Sequence, residues 1–377
     1  MEKPSKDEEL FSFLNSLLQA LRDLHKSCNP IILALYYSSS DRYFTLQSLI
    51  PQTEKFLPLR SHPQLSRLAR LLTVLRDLIN TETSIQGFTV ISMLHRHYIF
   101  YEIYRVSTAI GSEVQCFLDG EIVKKINDSF LAEEDEEFIG DATINALRDL
   151  EKRLQCEFDG NLQETILKGK VFGVLEKMLR NPGYRLVLKE QAAACVLALV
   201  RFNKDVFCGL VLMGSIVPDL ISMASSCSIG VLTSLIKLIR NPLIDEMECR
   251  GDFKRIVRLL ESGSGLLRMK VIDCLCEIAY FGRSEVVKEL LELRVVEQLI
   301  DLQRSEGLET GDGALMDEPQ WLDCLWRFAI QIQIGQGLSW KEQAIIKSEI
   351  MKRIREVSNS EAEAMTIIAD ILWGPSS

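Results

Sequence analysis

Residues 251–260 read GDFKRIVRLL, and a similar arrangement of apolar residues returns as KVFGVLEKML at 170–179, GSIVPDLISM at 214–223 and LRVVEQLIDL at 293–302. In each segment the apolar side chains recur every three or four residues, which is the period of one face of an α-helix. Two of the four segments open on a glycine. From about residue 160, the chain therefore repeats a short amphipathic helix.

A longer and more apolar helix is predicted after most of these segments, at residues 192–202, 230–239 and 271–281. The last residues of the first and third of these helices, Phe202 and Phe281, lie 79 residues apart. That distance is two units of roughly 40 residues, a spacing typical of HEAT and armadillo arrays. One such unit cannot bury its apolar face alone, so neighbouring units stack. The sequence predicts an all-α protein with a solenoid at 161–377 that ends in capping helices.

The N-terminal region has its own helical patterns. Apolar residues recur at helical spacing from Leu10 to Leu24, from Leu68 to Ile79 and from Ile91 to Val106. We predict a helical bundle over residues 1–130, followed at 131–160 by an acidic linker, with the run Glu133 to Glu137, and a connecting helix. A second stretch with few apolar residues, Ser305 to Pro319, predicts a loop within the solenoid.

Composition excludes several classes of protein. The 377 residues carry a formal net charge of −10, which argues against nucleic-acid binding through phosphate neutralisation. Ten cysteines are too few for a disulfide scaffold, and most lie in apolar helical patterns, so we expect a cytoplasmic and/or nuclear protein. The apolar stretches are shorter than the ~18–20 residues that span a bilayer, and no secretory signal is evident.

Two segments carry a resemblance to a known family: VLMGSIVPDLI at 211–221 and VVKELLELRVVEQL at 286–299. Both resemble armadillo repeats, in which a short turn, often with glycine, precedes an amphipathic helix and a longer third helix follows. Residues 194–202 and 273–281 match the place of that third helix. The resemblance covers about residues 160–350 and implies a right-handed superhelix whose third helices line a concave groove.

A helical N-terminal region followed by such repeats resembles the plant U-box armadillo proteins. In those proteins a U-box between the two parts recruits a ubiquitin-conjugating enzyme. This chain has no recognisable U-box segment there. The resemblance therefore implies a ligase-like scaffold without ligase activity.

The groove that the resemblance implies suggests partner-binding positions. They are the polar and aromatic residues beside the buried stripe of the third helices, where an extended peptide or a partner helix would lie. The candidates are Arg201, Asn203, Lys237, Asn241, Glu277, Tyr280, Trp326, Gln331 and Gln333.

The predicted function is protein–protein interaction by a non-catalytic scaffold or adaptor. Two alternatives stay open: a regulatory component of a ubiquitin-ligase pathway, and a trafficking or nuclear-transport adaptor. Recognition of basic peptides by the Trp-x-x-x-Asn steps of nuclear-import receptors is not expected, because no tryptophan here has an asparagine four residues on. Trp321 and Trp326 fit either a core position or a partner anchor.

No enzyme chemistry is predicted. His95 and His97, like Cys274 and Cys276, are two residues apart on predicted helices and point to different faces, so neither pair is placed to chelate a metal. The four histidines lie in the N-terminal third, away from most cysteines, and glycine-rich phosphate loops are absent. We expect no catalytic residue, metal or cofactor, and no small-molecule ligand.

The third helix predicted at 192–202 allows a prediction about stability. Leu197 lies within an apolar run, and we expect its side chain in the core. On that placement, Leu197→Ala would lower the free energy of unfolding by about 2–5 kcal/mol.

Overall fold

A computed structural model describes residues 6–27, 43–56, 63–85, 89–131, 139–262, 264–306 and 323–374. Every regular element among these residues is an α-helix, which confirms the predicted all-α fold class. By contacts, the chain divides into two compact units. The first comprises Met1–Lys124 and Asp159–Thr165, and the second comprises Lys125–Phe158 and Ile166–Ser377.

The N-terminal helices are α1 Lys6–Ser27, α2 Phe44–Phe56, α3 Pro63–Ser84 and α4 Val90–Leu131. Leucines at helical spacing, such as Leu14, Leu17 and Leu72, form the buried core of the first unit. Helix α1 lies antiparallel to α4, since the ring of Phe11 is 6.3 Å from that of Phe117 and His25 Nε2 is 2.9 Å from Ser107 Oγ.

The helices of the repeated region follow in order along the chain. They are α5 Ile139–Leu154, α6 Gly160–Lys168, α7 Val171–Arg180, α8 Leu186–Phe202, α9 Lys204–Met213, α10 Ile216–Met223, α11 Ser226–Ile239, α12 Asn241–Arg250, α13 Asp252–Ser262, α14 Gly265–Phe281, α15 Ser284–Glu292, α16 Val295–Glu306, α17 Cys324–Ile334, α18 Trp340–Val357 and α19 Glu361–Trp373. The four repeated segments of the sequence correspond to α7, α10, α13 and α16.

The second unit is a solenoid because equivalent helices of successive repeats stack on each other. Helices α5, α8, α11, α14 and α17 form one layer, each packed on the next, and we call them the third helices. Helices α7, α10 and α13 stack in a second layer behind them. Fully buried aromatic side chains, among them Phe207, Phe253 and Phe328, fill the space within the repeats.

Arginines join successive repeats through backbone carbonyls. Arg250 Nη2 donates to the carbonyl oxygen of Leu212 at 2.8 Å, and Arg255 Nη2 donates to that of Pro218 at 3.1 Å. Near the C-terminal end, Arg353 Nη1 donates to the carbonyl oxygen of Leu291 at 2.7 Å. Each bond joins a helix of one repeat to a helix of the preceding repeat, so polar contacts as well as packing fix the register between repeats.

A glycine turn ties α17 and α18 to the end of α14. The backbone N–H groups of Gln336 and Gly337 both donate to the carbonyl oxygen of Tyr280, at 2.8 and 3.3 Å. At Gly335 an added Cβ would lie 2.5 Å from that same carbonyl oxygen, and at Gly337 it would overlap the carbonyl of Gly282. The two backbones therefore touch where only glycine fits.

The last two helices begin at serine caps. The Ser339 backbone N–H donates to Glu342 Oε2 at 2.8 Å in a capping box, and Ser360 Oγ accepts from the Glu363 N–H at 3.2 Å. Helices α18 and α19 pack on α17, and Arg304 Nε donates to Glu363 Oε1 at 2.8 Å.

The short helices α7, α13 and α16 share a backbone feature at their start. The preceding residue has a left-handed conformation in each case: Lys170 at φ 50°, Gly251 at φ 69° and Arg294 at φ 62°. Gly251 adopts this conformation without a Cβ clash, whereas Lys170 and Arg294 hold it at a cost of roughly 1–2 kcal/mol each.

Lys170→Gly should therefore raise the free energy of unfolding, by about 1 kcal/mol, since glycine adopts the left-handed region without a Cβ clash. Lys170→Ala is the matched control, because it removes the same side chain and keeps the Cβ. Urea denaturation of both variants checks this, and equal stability of the two would contradict the strain.

Candidate functional site

The third helices present two neighbouring depressions on one face, to which five successive helices contribute. The apolar pocket is lined by α5, α8, Val231 of α11 and the segment after α5, and it measures about 440 Å³. The charged pocket, of about 290 Å³, is lined by α11, α14 and α17. Gly230 lines the charged pocket and Val231 the apolar one, so the two adjoin on α11. Together they form what we call the third-helix groove.

Helical spacing places the lining residues of the charged pocket. Their side chains recur at steps of three and four residues, so each helix shows one face to the pocket. The lining residues are Gly230, Thr233, Ser234 and Lys237 of α11, Lys270, Asp273, Cys276 and Glu277 of α14, and Arg327 and Gln331 of α17.

Ion pairs cross the charged pocket from helix to helix. Lys237 Nζ lies 3.1 Å from Glu277 Oε1, which joins α11 to α14. Asp273 accepts from Arg327 of α17 and lies 3.6 Å from Lys270 Nζ. Three cations therefore share two carboxylates, and every charge in this pocket has a partner of opposite sign.

The apolar pocket has a different lining. Phe158, with 60% of its surface exposed, stands at its edge with its ring 5.2 Å from that of Phe202. Leu154, Leu197 and Val231 add aliphatic surface, and Ala194 and Ala198 leave the space open because their side chains are small. Glu151, Gln155, Cys156 and Arg201 supply the polar groups of the lining.

Four of the nine candidate residues line these pockets. Lys237, Glu277 and Gln331 are brought together in the charged pocket, and Arg201 lies in the apolar one. Asn203 instead caps α9, its Oδ1 accepting from the Val206 N–H at 3.4 Å.

The remaining candidates lie outside the two pockets. Asn241 is the first residue of α12, and the Tyr280 carbonyl oxygen holds the glycine turn. Trp326 and Gln333 are half-buried on α17. Trp321, the run Glu133 to Glu137 and most of the predicted loop at 305–319 fall outside the described residues.

One core prediction was wrong, and it concerns a pocket-lining position that the sequence analysis missed. Leu197 is only half-buried and lines the apolar pocket, whereas its neighbour Leu199 is fully buried. The helix turns by about 100° per residue, so two leucines of one apolar run face different surroundings. The spacing of Ala194, Leu197, Ala198 and Arg201 was the available signal, because it marks one face of α8.

Comparisons with known proteins give structural neighbours only. No protein-family model and no curated protein matches the chain. Among solved structures, the designed armadillo repeat protein YIII(Dq)4CqI matches with a TM-score of 0.42 and 16% identity, over 67% of this chain and 99% of that one.

Two further designed proteins match at a similar level. One belongs to the computationally designed armadillo repeat proteins for modular peptide recognition, with a TM-score of 0.43 and 15% identity over 68% of this chain and 99% of that one. The other, YIII(Dq.V1)4CPAF in complex with the peptide (KR)4, has the same TM-score and identity over 67% and 98%. The solenoid architecture of this chain follows from its own helix packing.

The described part of the chain holds neither a metal-ligand cluster nor a single helix of membrane-spanning character. Within it, no three His, Cys, Asp or Glu side chains are grouped so as to hold a metal ion. Nor does it contain a single helix long and apolar enough to cross a bilayer; α9 and α10 reach that composition only when combined across a 71° bend.

Several of the described cysteines are buried and others are exposed. Burial raises the pKa of the Cys274 and Cys276 thiols to about 12, and it also raises the pKa of Cys195. Cys156 and Cys249 are exposed. Since the thiolate is the reactive form, the buried thiols are protected both by access and by protonation.

At mildly alkaline pH, a thiol reagent should modify Cys156 and Cys249 of the native protein quickly. Cys195, Cys274 and Cys276 should react only after denaturation. Mass spectrometry of each cysteine-containing peptide against time measures both rates. Labelling of Cys274 as fast as Cys156 in the native state would contradict the placement of α14.

Proposed function

We propose that the protein is a non-catalytic scaffold or adaptor, and that its third-helix groove binds an extended segment of a partner protein. The observation that supports this is that α5, α8, α11, α14 and α17 line an apolar and a charged pocket, and that α11 contributes neighbouring residues to both. An extended chain alternates its side chains and offers backbone groups along its length, so a row of adjoining pockets suits it.

The charged pocket contributes specificity rather than raw affinity. Its ion pairs are partly exposed, so their own contribution to stability is small, on the order of 0–1 kcal/mol each. A partner group that inserts between Lys237 and Glu277 exchanges one pairing for another, and a segment with the wrong charge order is repelled. The apolar pocket supplies the surface whose burial favours binding.

The experiment is affinity purification of the full chain with quantitative mass spectrometry. Leu197→Glu places a charge in the apolar pocket and Lys237→Glu sets two carboxylates against each other, so both should release the same partners. Lys352→Glu is the matched control, because Lys352 also sits in an exposed ion pair, 3.8 Å from Glu356, and lines neither pocket. Partners that both groove variants retain would place binding elsewhere.

A second role is suggested by sequence resemblance alone. The similarity to plant U-box armadillo proteins supports a regulatory part in a ubiquitin-ligase pathway, and a trafficking or nuclear-transport adaptor is the further alternative. We place the protein in the cytoplasm and/or nucleus on its cysteine usage. Partners recovered in the purification, either ubiquitin-pathway enzymes or transport receptors and coat proteins, would distinguish these roles.

A further inference from the structure

Arg201 differs from the other cations of the third-helix groove. Its side chain is exposed, and among the described residues it has no hydrogen-bond or ion-pair partner. In the adjoining charged pocket Lys237, Lys270 and Arg327 are each paired with a carboxylate. The apolar pocket thus carries one unneutralised guanidinium at its edge.

The carboxylate of the apolar pocket does not neutralise Arg201. Glu151 accepts hydrogen bonds from two amide side chains, Gln191 Nε2 at 2.7 Å and Gln155 Nε2 at 3.3 Å. On α8, Gln191 lies nearly three turns before Arg201, so Glu151 is held at the opposite end of that helix face. Arg201 lies at the other end of this face, next to Phe202, whose ring is 5.2 Å from that of Phe158.

The hydrophobic surface around Arg201 favours an apolar occupant. Phe158 is 60% exposed, and Leu197 and Val231 continue the same surface. An opening of about 440 Å³ accepts one or two bulky side chains. A guanidinium beside such a surface is partly shielded from water once the pocket is filled, which strengthens its bond to a carboxylate.

We infer that the groove selects a segment in which a bulky apolar residue, leucine, methionine or phenylalanine, is followed or preceded within two residues by aspartate or glutamate. The apolar side chain fills the pocket of Leu154, Phe158, Leu197 and Val231, and the carboxylate pairs with Arg201. The inference rests on the proposed function, since it names the chemistry of the segment that the groove holds.

The test is selection from a random peptide display library on the full chain. The wild-type protein should enrich peptides with an apolar residue next to an acidic one. Arg201→Glu should enrich peptides with lysine or arginine at that place instead. Lys352→Glu, an exposed position outside the groove, should keep the wild-type motif.

A double-mutant cycle with the best peptide adds an independent measurement. Arg201→Gln should weaken binding about fivefold, the effect of ~1 kcal/mol expected for one exposed charge pair. Replacing the acidic residue of the peptide by its amide should weaken binding equally in the wild type and have no effect in Arg201→Gln. Because Arg201 makes no hydrogen bond or ion pair with a described residue, the variant should fold as the wild type does, which circular dichroism checks.

Two failures are distinguishable. If enriched peptides protect Cys156 from labelling and lose binding in Leu197→Glu but show no acidic residue, the inference about Arg201 is overturned and groove binding stands. If no enriched peptide depends on Leu197 or protects Cys156, the proposed function falls with it.

Discussion

Gly337→Ala should lower the free energy of unfolding by about 3 kcal/mol or more, the largest single-methyl effect we expect in this chain. A Cβ at this position would overlap the carbonyl of Gly282. The clash is between two backbones, so no flexible side chain can move aside to relieve it. Relief requires the turn to separate from α14, which breaks the hydrogen bonds of Gln336 and Gly337 to the Tyr280 carbonyl oxygen.

Gly209→Ala is the control for this prediction. Gly209 lies inside α9, and a Cβ there would meet no atom within 4 Å. Alanine should raise stability by about 0.5–1 kcal/mol, since it restricts the unfolded chain and favours the helix. Urea denaturation of the full chain gives both values. If Gly337→Ala matched the wild type, the close approach of the two backbones would be disproved.

The substitutions Leu199→Ala and Leu197→Ala compare a core position with a groove position on the same helix, α8. Leu199 is completely buried, so its truncation leaves a cavity and should cost about 2–5 kcal/mol. Leu197 is half-buried and lines the apolar pocket, so its truncation should cost roughly 1 kcal/mol or less. The two substitutions remove the same atoms, which makes their difference a direct measure of burial.

Binding should show the opposite order from stability. Leu197→Ala removes apolar surface from the pocket and should weaken any groove-bound peptide, whereas Leu199→Ala should leave the affinity of the folded protein unchanged. Calorimetry below the unfolding transition tests this with the selected peptide. Equal stability losses in the two variants would restore Leu197 to the core, where the apolar run of α8 first suggests it lies.

The repeated helices were predictable because the local sequence determines both the period of their apolar residues and the positions where they end. The third helices α8, α11 and α14 end at the predicted residues, Phe202, Ile239 and Phe281. They start four to six residues earlier than predicted, at Leu186, Ser226 and Gly265. The ends are marked by a change to polar residues or glycine, while the first turns contain polar residues that hide the apolar period.

The candidate site was only partly predictable because it is assembled from several repeats. Lys237 and Glu277 were identified from their places on two third helices, but their ion pair depends on the stacking of α11 on α14. Asp273 and Arg327 complete the pocket and carry no local signal. Asn203 is a polar residue of the kind expected in a groove. Its side chain instead caps α9, because the first N–H groups of a helix have no partner within that helix.

The arginine-to-carbonyl bonds between repeats also affect how the second unit should respond to a pulling force. Arg250 and Leu212 are 38 residues apart, and Arg255 and Pro218 are 37 apart, so tension along the solenoid passes through such junctions in series. We expect single-molecule stretching to release the chain in steps of about 40 residues, or roughly 130 Å when extended. A segment bound across α8, α11 and α14 would span two junctions, and its release rate would then report the force on the protein.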